Sequence, residues 1–482
     1  MIESRHIHLI AICGVGMSAM AGMLQARGFR VTGSDQNVYP PMSTQLEALG
    51  IELRRGFSPE HLADHPDLIV VGNAVSRSNP EVQAMLAQGI PFLSFPQALA
   101  EFFLHERHPI VVVGTHGKTT TASLMAWVLE SAGLDPGYMI GGIPRNFGAN
   151  YKLGSGAFFV VEGDEYDTAF FDKGPKFLHY RPRSAVLTSV EFDHADIYRD
   201  LDHVKGAFRR FTRLLPADGY LAAGVDFPHV ADLLASVRCP WESYGFAATA
   251  HWRAADEGWC DTVGRFVVQH RGQTVGAMRW GLSGRHNIRN ALGVMAVASH
   301  LGVPVARIQQ ALETFAGVKR RQEVRGVVRD ITVIDDFAHH PTAIRATLAA
   351  LRARYPGRRL WAIFEPRSAT SRRATFQEDF VAAFANADRV VIAGLYNPES
   401  IPPEARLSPE QLAGDIARTC VKDAVYLPAV EAIVAHVAAR ARAGDVMAIM
   451  SNGGFGGIHE KLLEALRLNL PPESSAARGE ES

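Results

Sequence analysis

Residues 109–122, which read PIVVVGTHGKTTTA, constrain the fold of this chain more than any other stretch. Residues 110–113 are apolar and β-branched, a pattern typical of a fully buried parallel strand. Gly114 and Gly117 then allow a tight turn that presents N–H groups to an anion, and Lys118 adds a mobile positive charge. The Thr-Thr pair that follows opens an apolar helix, and a helix N-terminus favours phosphate.

Strand, glycine turn, Lys-Thr pair and helix together predict a phosphate-binding loop with a threonine hydroxyl available to Mg²⁺. Only two residues separate the glycines, which is shorter than the usual Walker spacing, so a plain glycine-rich turn with a solvated lysine is the alternative. We favour the phosphate loop and predict that the protein uses ATP. The residues predicted to contact ATP here are Gly114, Thr115, His116, Gly117, Lys118, Thr119 and Thr120.

Length, charge and cysteine spacing limit the classes of protein that fit. A chain of 482 residues suggests about three domains. The formal net charge of -1 gives no reason to expect nucleic acid as a partner. Cysteines 13, 239, 260 and 420 are far apart, which argues against disulfides and a zinc site and favours a reducing cytoplasm. No stretch is long and apolar enough to predict a membrane span.

The first hundred residues alternate strand and helix patterns, which predicts a doubly wound α/β unit. Its first turn carries Gly14, Gly16 and Ala19 in the spacing G-x-G-x-x-A, and Asp35 follows the second strand. On this pattern alone NAD is the first candidate ligand. The same backbone geometry, however, serves any diphosphate.

Two more α/β units follow. In the second unit, which begins at residue 110, later strands are predicted at 157–162 and 185–189, and added antiparallel strands at 220–223, 265–269 and 274–280. The third unit begins near residue 318, with strands predicted at 332–334, 360–364, 389–392 and 446–450. The tail after residue 470 is rich in Pro, Ser, Glu and Ala and is predicted to be disordered.

Acidic and histidine side chains follow two of these strands. Glu162 ends an apolar run, and its carboxylate suits a hard cation such as Mg²⁺. His194 lies in a similar position after the next strand, within the sequence EFDHAD. The alternatives are a solvated acidic turn for Glu162 and a structural histidine for His194. Because both follow strands beside the phosphate loop, we favour contact with a metal or the substrate.

Polar pairs occur further along the chain. Asn287 and Asn290 lie one helical turn apart, so their amides suit an adenine or ribose edge, although Asn287 also suits a helix N-cap. The basic run that contains Arg321 is either a solvated turn or a phosphate clamp between domains. Asp336 follows a strand and precedes a helix, where an acid typically contacts a ribose or an orienting partner.

In chain order, these motifs resemble the signature of the bacterial Mur ligases over nearly the whole sequence. The matching elements are GTHGKT at 114–119, Glu162, Asp193-His194, His286-Asn287-x-x-Asn290, Arg320-Arg321 and Asp336-x-x-His339-x-Pro341. The resemblance implies an α/β protein with three domains: a Rossmann-like UDP-sugar-binding domain (1–108), a P-loop ATPase-type central domain (109–317) and a Rossmann-like C-terminal ligase domain (318–470). Residues 471–482 would form the tail.

The resemblance also implies roles for individual residues. Lys118, Glu162 and His194 would be catalytic, with Thr119 and Glu162 holding one Mg²⁺ and His194 the second. Asn287 and Asn290 would border adenine, and Arg321 and Asp336 would reach ATP from the C-terminal domain. The residues implied to hold the UDP-sugar, in place of NAD, are Gly14, Gly16, Met17, Ser18 and Asp35.

Two positions depart from the family pattern. Ser189 stands where an asparagine is often found, so no role is assigned to it. Several Mur ligases carry a carbamoylated lysine at the position that Phe208 occupies here, and Lys205 lies one turn earlier. We therefore do not assign a carbamate ligand to this chain.

The implied reaction is amide ligation through an acyl phosphate, with UDP-N-acetylmuramate as one substrate. Stretches 39–44, 170–180 and 450–463 resemble those members that add the tripeptide L-alanyl-γ-D-glutamyl-meso-diaminopimelate in cell-wall recycling. Glycines in the last stretch expose N–H groups that suit the carboxylates of a peptide. The alternatives are ligation of L-alanine, an NAD-dependent oxidoreductase and a non-catalytic nucleotide switch. Peptide-binding residues are predicted to be Arg367, Asn452, Gly453 and Gly454.

Overall fold

The computed structural model describes residues 5–39, 42–260 and 263–469. Its strands form three large sheets and a separate two-stranded hairpin, which confirms the predicted α/β class with three units. The tail predicted at 471–482 lies outside the described residues. Within the described part of the chain, no helix combines the length and the apolar character needed to cross a membrane.

The N-terminal sheet contains five parallel strands. Its elements are β1 (His6–Ile10), α1 (Val15–Ala26), β2 (Arg30–Asp35), α2 (Met42–Ala48), β3 (Glu52–Arg55), β4 (Leu68–Val71), α3 (Pro80–Gln88), β5 (Phe92–Ser94) and α4 (Phe95–Leu99), which continues as a π-helix (Ala100–Leu104). The strand order is β3-β2-β1-β4-β5. Successive strands are added first on one side of β1 and then, from β4, on the other side. A crevice opens between β1 and β4 at the carboxyl ends of the strands. The glycine turn after β1 lies at this crevice.

The central sheet has ten strands and carries the phosphate loop. Its strands are β6 (His108–Val113), β7 (Gly137–Met139), β8 (Tyr151–Lys152), β9 (Phe158–Glu162), β12 (Ser184–Leu187), β13 (Tyr220–Gly224), β14 (Trp241–Gly245), β15 (Trp252–Cys260), β16 (Val263–His270) and β17 (Gln273–Trp280), and β10 (Asp167–Ala169) and β11 (Asp172–Pro175) form the hairpin. Its helices are α5 (Lys118–Ser131), α6 (Leu201–Thr212), α7 (Pro228–Leu234), α8 (Arg285–His300) and α9 (Val305–Thr314).

The register of this sheet brings the predicted catalytic segments together. Strand β6 lies between β9 and β12 and is parallel to both. Val112 pairs with Glu162, and Val113 pairs with Leu187. Because the carboxyl ends of parallel strands meet at one edge of a sheet, the segments that begin at Gly114, Glu162 and Thr188 are neighbours.

The C-terminal sheet has six strands. Its elements are β18 (Glu323–Val328), β19 (Ile331–Asp336), α10 (Pro341–Arg354), β20 (Leu360–Phe364), α11 (Gln377–Ala383), β21 (Arg389–Ile392), α12 (Pro409–Thr419), β22 (Ala424–Tyr426), α13 (Val430–Arg440), β23 (Val446–Met450) and α14 (Ile458–Asn469). The order is β18-β19-β23-β20-β21-β22. Met450 pairs with both Asp336 and Phe364, so the turns after these three strands lie side by side.

One strand prediction was wrong in direction. The segment at 220–223 was expected to be an antiparallel addition, but β13 pairs in parallel with β12 and β14. All five residues of β13 are buried, as in an interior parallel strand covered on both faces. The antiparallel strands expected at 265–269 and 274–280 are confirmed as β16 and β17. The domain boundaries at 108/109 and 317/318 stay predictions.

Helix α6 places Phe208 in the core of the central unit. The Phe208 side chain is fully buried and stacks on Phe177 with ring centroids 5.5 Å apart. Lys205, one turn earlier, pairs with Asp232, its Nζ lying 2.7 Å from Oδ2. Phe208 is thus part of an aromatic cluster in the core of the central unit.

Replacing Phe208 tests how much this cluster stabilises the central unit. We expect Phe208→Ala to lower the free energy of unfolding by about 3–5 kcal/mol, because the substitution opens a cavity in a packed core. Leu214, just after the same helix, is 38% exposed. The control Leu214→Ala should therefore change stability by about 0.5 kcal/mol or less. Urea unfolding monitored by circular dichroism measures both, and equal effects would contradict this description of the core.

Candidate functional site

The turn between β6 and α5 has the geometry of a phosphate-binding loop. Gly114 and Gly117 both have positive φ, 130° and 82°. A Cβ on Gly114 would lie 2.1 Å from the hydroxyl oxygen of Thr188, so only glycine fits. In the described structure no side chain caps the N-terminus of α5. Its first N–H groups and the positive end of its dipole are therefore available to an anion.

Two hydroxyl residues after β12 support this loop from below. Ser189 Oγ accepts a hydrogen bond from the His116 N–H at 2.9 Å, and its carbonyl accepts one from the Thr115 N–H. The Thr188 hydroxyl donates to the His116 carbonyl at 2.6 Å. No role was predicted for Ser189, because it stands where an asparagine is often found in the family, and its contact with the loop spans 73 residues of chain. The structure identifies it as a positioning residue of the loop.

Lys118 is held by a carboxylate that the sequence analysis did not select. Its Nζ donates to the Gly114 carbonyl at 2.7 Å and lies 2.7 Å from Glu165 Oε2. Burial by itself lowers the pKa of Lys118, but the charges of Glu165 and Asp164 raise it overall. The lysine therefore keeps its positive charge in a buried position beside the phosphate loop.

Thr119 and Glu162 meet as predicted for a shared cation. The Thr119 hydroxyl donates to Glu162 Oε1 at 2.7 Å, and the other carboxylate oxygen accepts from the Gly141 N–H at 2.7 Å. A hydroxyl and a carboxylate at this spacing are the hard oxygen donors that Mg²⁺ prefers. The donor set thus fits the predicted metal.

His194 lies beside the same loop, but its partner is Glu165. His194 Nε2 donates to Glu165 Oε1 at 3.0 Å, and its ring packs on Tyr166. Burial lowers the pKa of His194, whereas the hydrogen bond to Glu165 and the charge of Asp193 raise it overall. Glu165, which is 3% exposed, therefore connects Lys118 with His194. Its place in the acidic run after β9 was the only sequence signal for it.

The C-terminal unit directly contacts the phosphate loop and the segment that contains His194. The Thr370 hydroxyl donates to Asp193 Oδ1 at 2.5 Å and accepts from the His194 N–H at 3.0 Å. Arg321 reaches the phosphate loop, where its guanidinium donates to the Thr119 hydroxyl at 3.3 Å. The predicted catalytic groups therefore lie at the seam between the central and C-terminal units.

An open cavity adjoins the phosphate loop along this seam. Residues of both the central and the C-terminal unit line the cavity. The predicted ATP contacts that are part of this lining are His116, Gly117, Thr120, Asn287, Asn290, Arg321 and Asp336. Asn290 donates to the Asn287 side-chain oxygen at 3.3 Å, and Gly284 rather than Asn287 is the N-cap of α8. The alternative N-cap role of Asn287 is therefore wrong.

Burial raises the pKa of Asp336, whose oxygens accept from the Gln322 and Ala338 N–H groups.

The glycine turn after β1 forms a second site, in the N-terminal unit. Gly14 is the N-cap of α1 and makes no side-chain cap, and a Cβ on Gly16 would meet the Phe95 ring at 3.3 Å. Asp35 accepts from the Cys13 N–H at 2.9 Å, so it braces this turn. Met17 and Ser18 are buried, and the Ser18 hydroxyl donates to the Val15 carbonyl. The two glycines thus expose backbone, while the buried side chains support it.

The third predicted site forms after β20 and β23. The Arg367 guanidinium lies over the Tyr396 ring at 3.6 Å, and a Cβ on Gly453 would meet Arg367 Nε at 2.0 Å. Asn452 Oδ1 is buried without a hydrogen-bond partner among the described residues. Gly454 has nothing within 4 Å of its Cβ position. The structure thus brings all four predicted peptide-binding residues to one edge of the C-terminal sheet.

These features are typical of an α/β enzyme of three units with a phosphate-binding loop at the seam of two of them. Comparison with known families agrees: residues 6–107 match "Mur ligase family, catalytic domain", residues 112–298 match "Mur ligase middle domain" and residues 320–453 match "Mur ligase, glutamate ligase domain". The chain belongs to the Mur ligase family, and it is an ATP-dependent ligase.

Individual relatives match over nearly their whole length. The UDP-N-acetylmuramate–L-alanyl-γ-D-glutamyl-meso-2,6-diaminoheptandioate ligase of Escherichia coli is 42% identical over 95% of this chain and 98% of its own. The UDP-N-acetylmuramate–L-alanine ligase of Geotalea uraniireducens is 36% identical over 96% and 98%. The crystal structure of a murein peptide ligase from Psychrobacter arcticus superposes with a TM-score of 0.71 at 38% identity, covering 97% of this chain and 100% of that one.

Two glycines at opposite ends of α5 allow a matched test of the phosphate loop. Gly117 and Gly133 have nearly the same φ, 82° and 79°, so alanine introduces similar backbone strain at each, about 1–2 kcal/mol. Only at Gly117 would the new Cβ also strike Asn290, at 2.6 Å from Oδ1; nothing lies within 4 Å at Gly133. We expect Gly117→Ala to raise the Kd for ADP about tenfold or more, equivalent to about 1.4 kcal/mol.

Calorimetric titration with ADP, alongside the melting temperature, separates the two effects. Gly133→Ala should lower the melting temperature by a similar amount and leave the Kd unchanged. If both variants bind ADP equally well, the turn at Gly117 does not form the nucleotide site.

Proposed function

We propose that this ligase joins the tripeptide L-alanyl-γ-D-glutamyl-meso-diaminopimelate to UDP-N-acetylmuramate, as a recycling step for cell-wall peptides. The Escherichia coli relative, at 42% identity, carries this activity in its name. The alternative is ligation of L-alanine, the amine named for the relative at 36% identity. Among the described residues Cys13, Cys239 and Cys420 are free thiols, which supports a cytoplasmic setting.

The observation that carries the choice of amine is the surface formed by Arg367, Asn452, Gly453 and Gly454. Arg367 supplies a planar cation that suits a carboxylate, and Tyr396 holds it in place by stacking. The unpartnered Asn452 Oδ1 provides an acceptor for an ammonium or amide group. A tripeptide with several carboxylates and a free amine can use all of these groups. L-alanine has a single carboxylate.

The contacts of the phosphate-loop residues support the roles that we propose for them. Lys118 would neutralise the charge that develops when the sugar-linked carboxylate attacks the γ-phosphate of ATP. Glu165 keeps this lysine charged and in position. An amine would then attack the resulting acyl phosphate and release phosphate. Thr119 and Glu162 would hold one Mg²⁺ and His194 a second; when bound, these ions neutralise phosphate charge.

The remaining predicted contacts support a place for ATP between the central and C-terminal units and a place for UDP in the N-terminal unit. Asn287 and Asn290 would border adenine in the cavity, with Arg321 and Asp336 contacting ATP from the C-terminal unit. In the N-terminal unit, the N–H groups after Gly14 and Gly16 would take the UDP diphosphate, with Met17, Ser18 and Asp35 shaping that turn. Membership of a ligase family displaces the NAD hypothesis for this turn.

A carboxylate-to-amide change tests the metal role of Glu162. We expect Glu162→Gln to raise the Mg²⁺ concentration for half-maximal ADP release by about tenfold or more, because a charged ligand is replaced by a neutral one. Glu130, at the other end of α5, pairs with Lys152 and is the control. Glu130→Gln should leave the Mg²⁺ titration unchanged, and an unchanged titration in Glu162→Gln as well would show that Glu162 is structural.

The choice of amine is decided by comparing kcat/KM for the tripeptide and for L-alanine with UDP-N-acetylmuramate present. We expect the tripeptide to be favoured at least about 100-fold, because a site with polar groups for a long ligand leaves them unpaired with a short one. Coupled detection of ADP release measures both. A preference for L-alanine would make this the biosynthetic enzyme instead.

Arg367 provides the matching mutational test. Arg367→Ala should lower kcat/KM for the tripeptide by about 10–100-fold, because it removes one charged hydrogen bond. Such a bond contributes about 1.5–3 kcal/mol. Arg418, whose side chain is 72% exposed and pairs with Asp415, is the control. Equal activity of the two variants would remove Arg367 from the peptide site.

A further inference from the structure

Three side chains with nitrogen and oxygen donors converge where the phosphate loop meets the C-terminal unit. They are His116 of the loop, Glu191 after β12 and His340 at the start of α10. One donor atom from each lies within 4.8 Å of the other two. This group is separate from the predicted Mg²⁺ ligands, and none of the roles proposed above uses these three side chains together.

Each residue is held in place by its own surroundings. His116 lies in the loop that Ser189 braces. Glu191 is fixed through its backbone, since its N–H donates to the Thr115 hydroxyl at 2.9 Å. His340 is the N-cap of α10, and its Nδ1 accepts a long hydrogen bond of 3.3 Å from the Thr342 N–H. The three donors therefore come from three ordered segments, and two of these segments belong to the central unit.

His340 Nδ1 lies near the Glu191 carboxylate. His340 Nε2 lies 3.2 Å from the Phe192 carbonyl, which can only accept, so this nitrogen carries the proton. In the neutral ring Nδ1 is then unprotonated, and it lies 3.9 Å from Glu191 Oε2. Nδ1 also accepts the long hydrogen bond from the Thr342 N–H, so a cation between Nδ1 and Oε2 would replace that bond.

His116 completes the set from the other side. Its Nε2 donates to Glu191 Oε2 at 2.9 Å, and its ring centroid is 4.8 Å from that of His340. Ligands of tetrahedral Zn²⁺, with bonds of about 2.0–2.1 Å, lie about 3.3 Å from one another. Two of the three donor separations, 2.9 Å and 3.9 Å, bracket this value, and all three are within 4.8 Å, so binding requires side-chain rotations that bring the donors to equal spacing. Binding through His116 Nε2 would require its proton to leave that nitrogen: a neutral ring carries it on Nδ1 instead, and a doubly protonated ring releases one proton to solvent.

We propose that His116, Glu191 and His340 form a binding site for a divalent transition metal, Zn²⁺ in particular, that links the central and C-terminal units. Two imidazoles and one carboxylate form a donor set typical of Zn²⁺, whereas Mg²⁺ prefers oxygen donors alone. The side chains of His116 and Glu191 are 20% and 27% exposed, which gives the ion a route from solvent. A fourth ligand would be water.

A metal at this site has a definite consequence for the enzyme. It would tie α10 of the C-terminal unit to the loop that binds the nucleotide phosphates. Because the ligands come from both units, the ion would hold them together and resist any opening needed to exchange substrates. Zn²⁺ is thus expected to inhibit turnover without occupying the Mg²⁺ site. This inference does not depend on which amine the enzyme uses.

The test is calorimetric titration of the full-length, metal-free protein with Zn²⁺ in a buffer containing excess Mg²⁺. We expect one Zn²⁺ per chain at this site. Glu191→Gln and His340→Asn should each weaken binding at least tenfold. Asparagine keeps the helix N-cap at position 340 but replaces the imidazole, so folding is preserved while the ligand is lost. Melting temperatures confirm that the variants are folded.

Two controls separate this site from others. His105, whose side chain is 44% exposed, precedes the amino end of β6, whereas His116 follows the carboxyl end of that strand, and His105→Ala should bind Zn²⁺ like the unchanged protein. His194→Ala should also retain the ion, since the predicted Mg²⁺ ligands are not required. Retention of full Zn²⁺ affinity by His340→Asn and Glu191→Gln would overturn the proposal, as would the absence of any binding to the unchanged protein.

A second readout addresses the consequence. ADP release is measured with increasing Zn²⁺, and each variant is normalised to its own rate without Zn²⁺. We expect the zinc concentration for half-inhibition to rise at least tenfold in His340→Asn, and to stay the same in His105→Ala. Equal zinc sensitivity in both would contradict a link between the two units.

Discussion

The ammonium group of Lys118 is buried beside the glycine turn, and the Glu165 carboxylate keeps it charged there. An unpaired charge in this position would be costly, so the ion pair with a separation of 2.7 Å is a condition for the loop to exist in this form. The same carboxylate accepts from His194, and its backbone carbonyl accepts from the Tyr198 hydroxyl. One buried side chain thereby joins the phosphate loop, the turn after β9 and the turn after β12.

The parallel sheets explain why the chemistry gathers at a seam. In the central sheet, β6, β9 and β12 end together; in the C-terminal sheet, β19, β23 and β20 do the same. Contacts made by Thr370 and Arg321 bring these two edges against each other. A carboxylate substrate, an amine and a nucleotide can then approach from three sets of loops without any change in the scaffold.

The seam also separates two kinds of cation chemistry. Thr119 and Glu162 offer oxygen atoms, which suit a hard ion such as Mg²⁺. His116, Glu191 and His340 offer two nitrogen atoms beside a carboxylate, which suit Zn²⁺. Because both sets adjoin the same loop, a metal bound at either set would affect how the loop and the C-terminal unit move. Donor chemistry rather than distance decides which ion each set takes.

Local sequence determined the three α/β units, the glycine turns and the strand ends at which Glu162 and Asp336 lie, since periodicity and turn chemistry act between near neighbours. It also placed Thr119 close to Glu162, because adjacent parallel strands end together. Only the tertiary structure revealed the roles of Ser189 and Glu165. Ser189 meets the His116 N–H across 73 residues of chain, and strand order decides such contacts. The predicted direction of β13 was wrong for the same reason. Whether a strand runs parallel depends on its neighbours in the sheet, and the strand's own residues do not encode them.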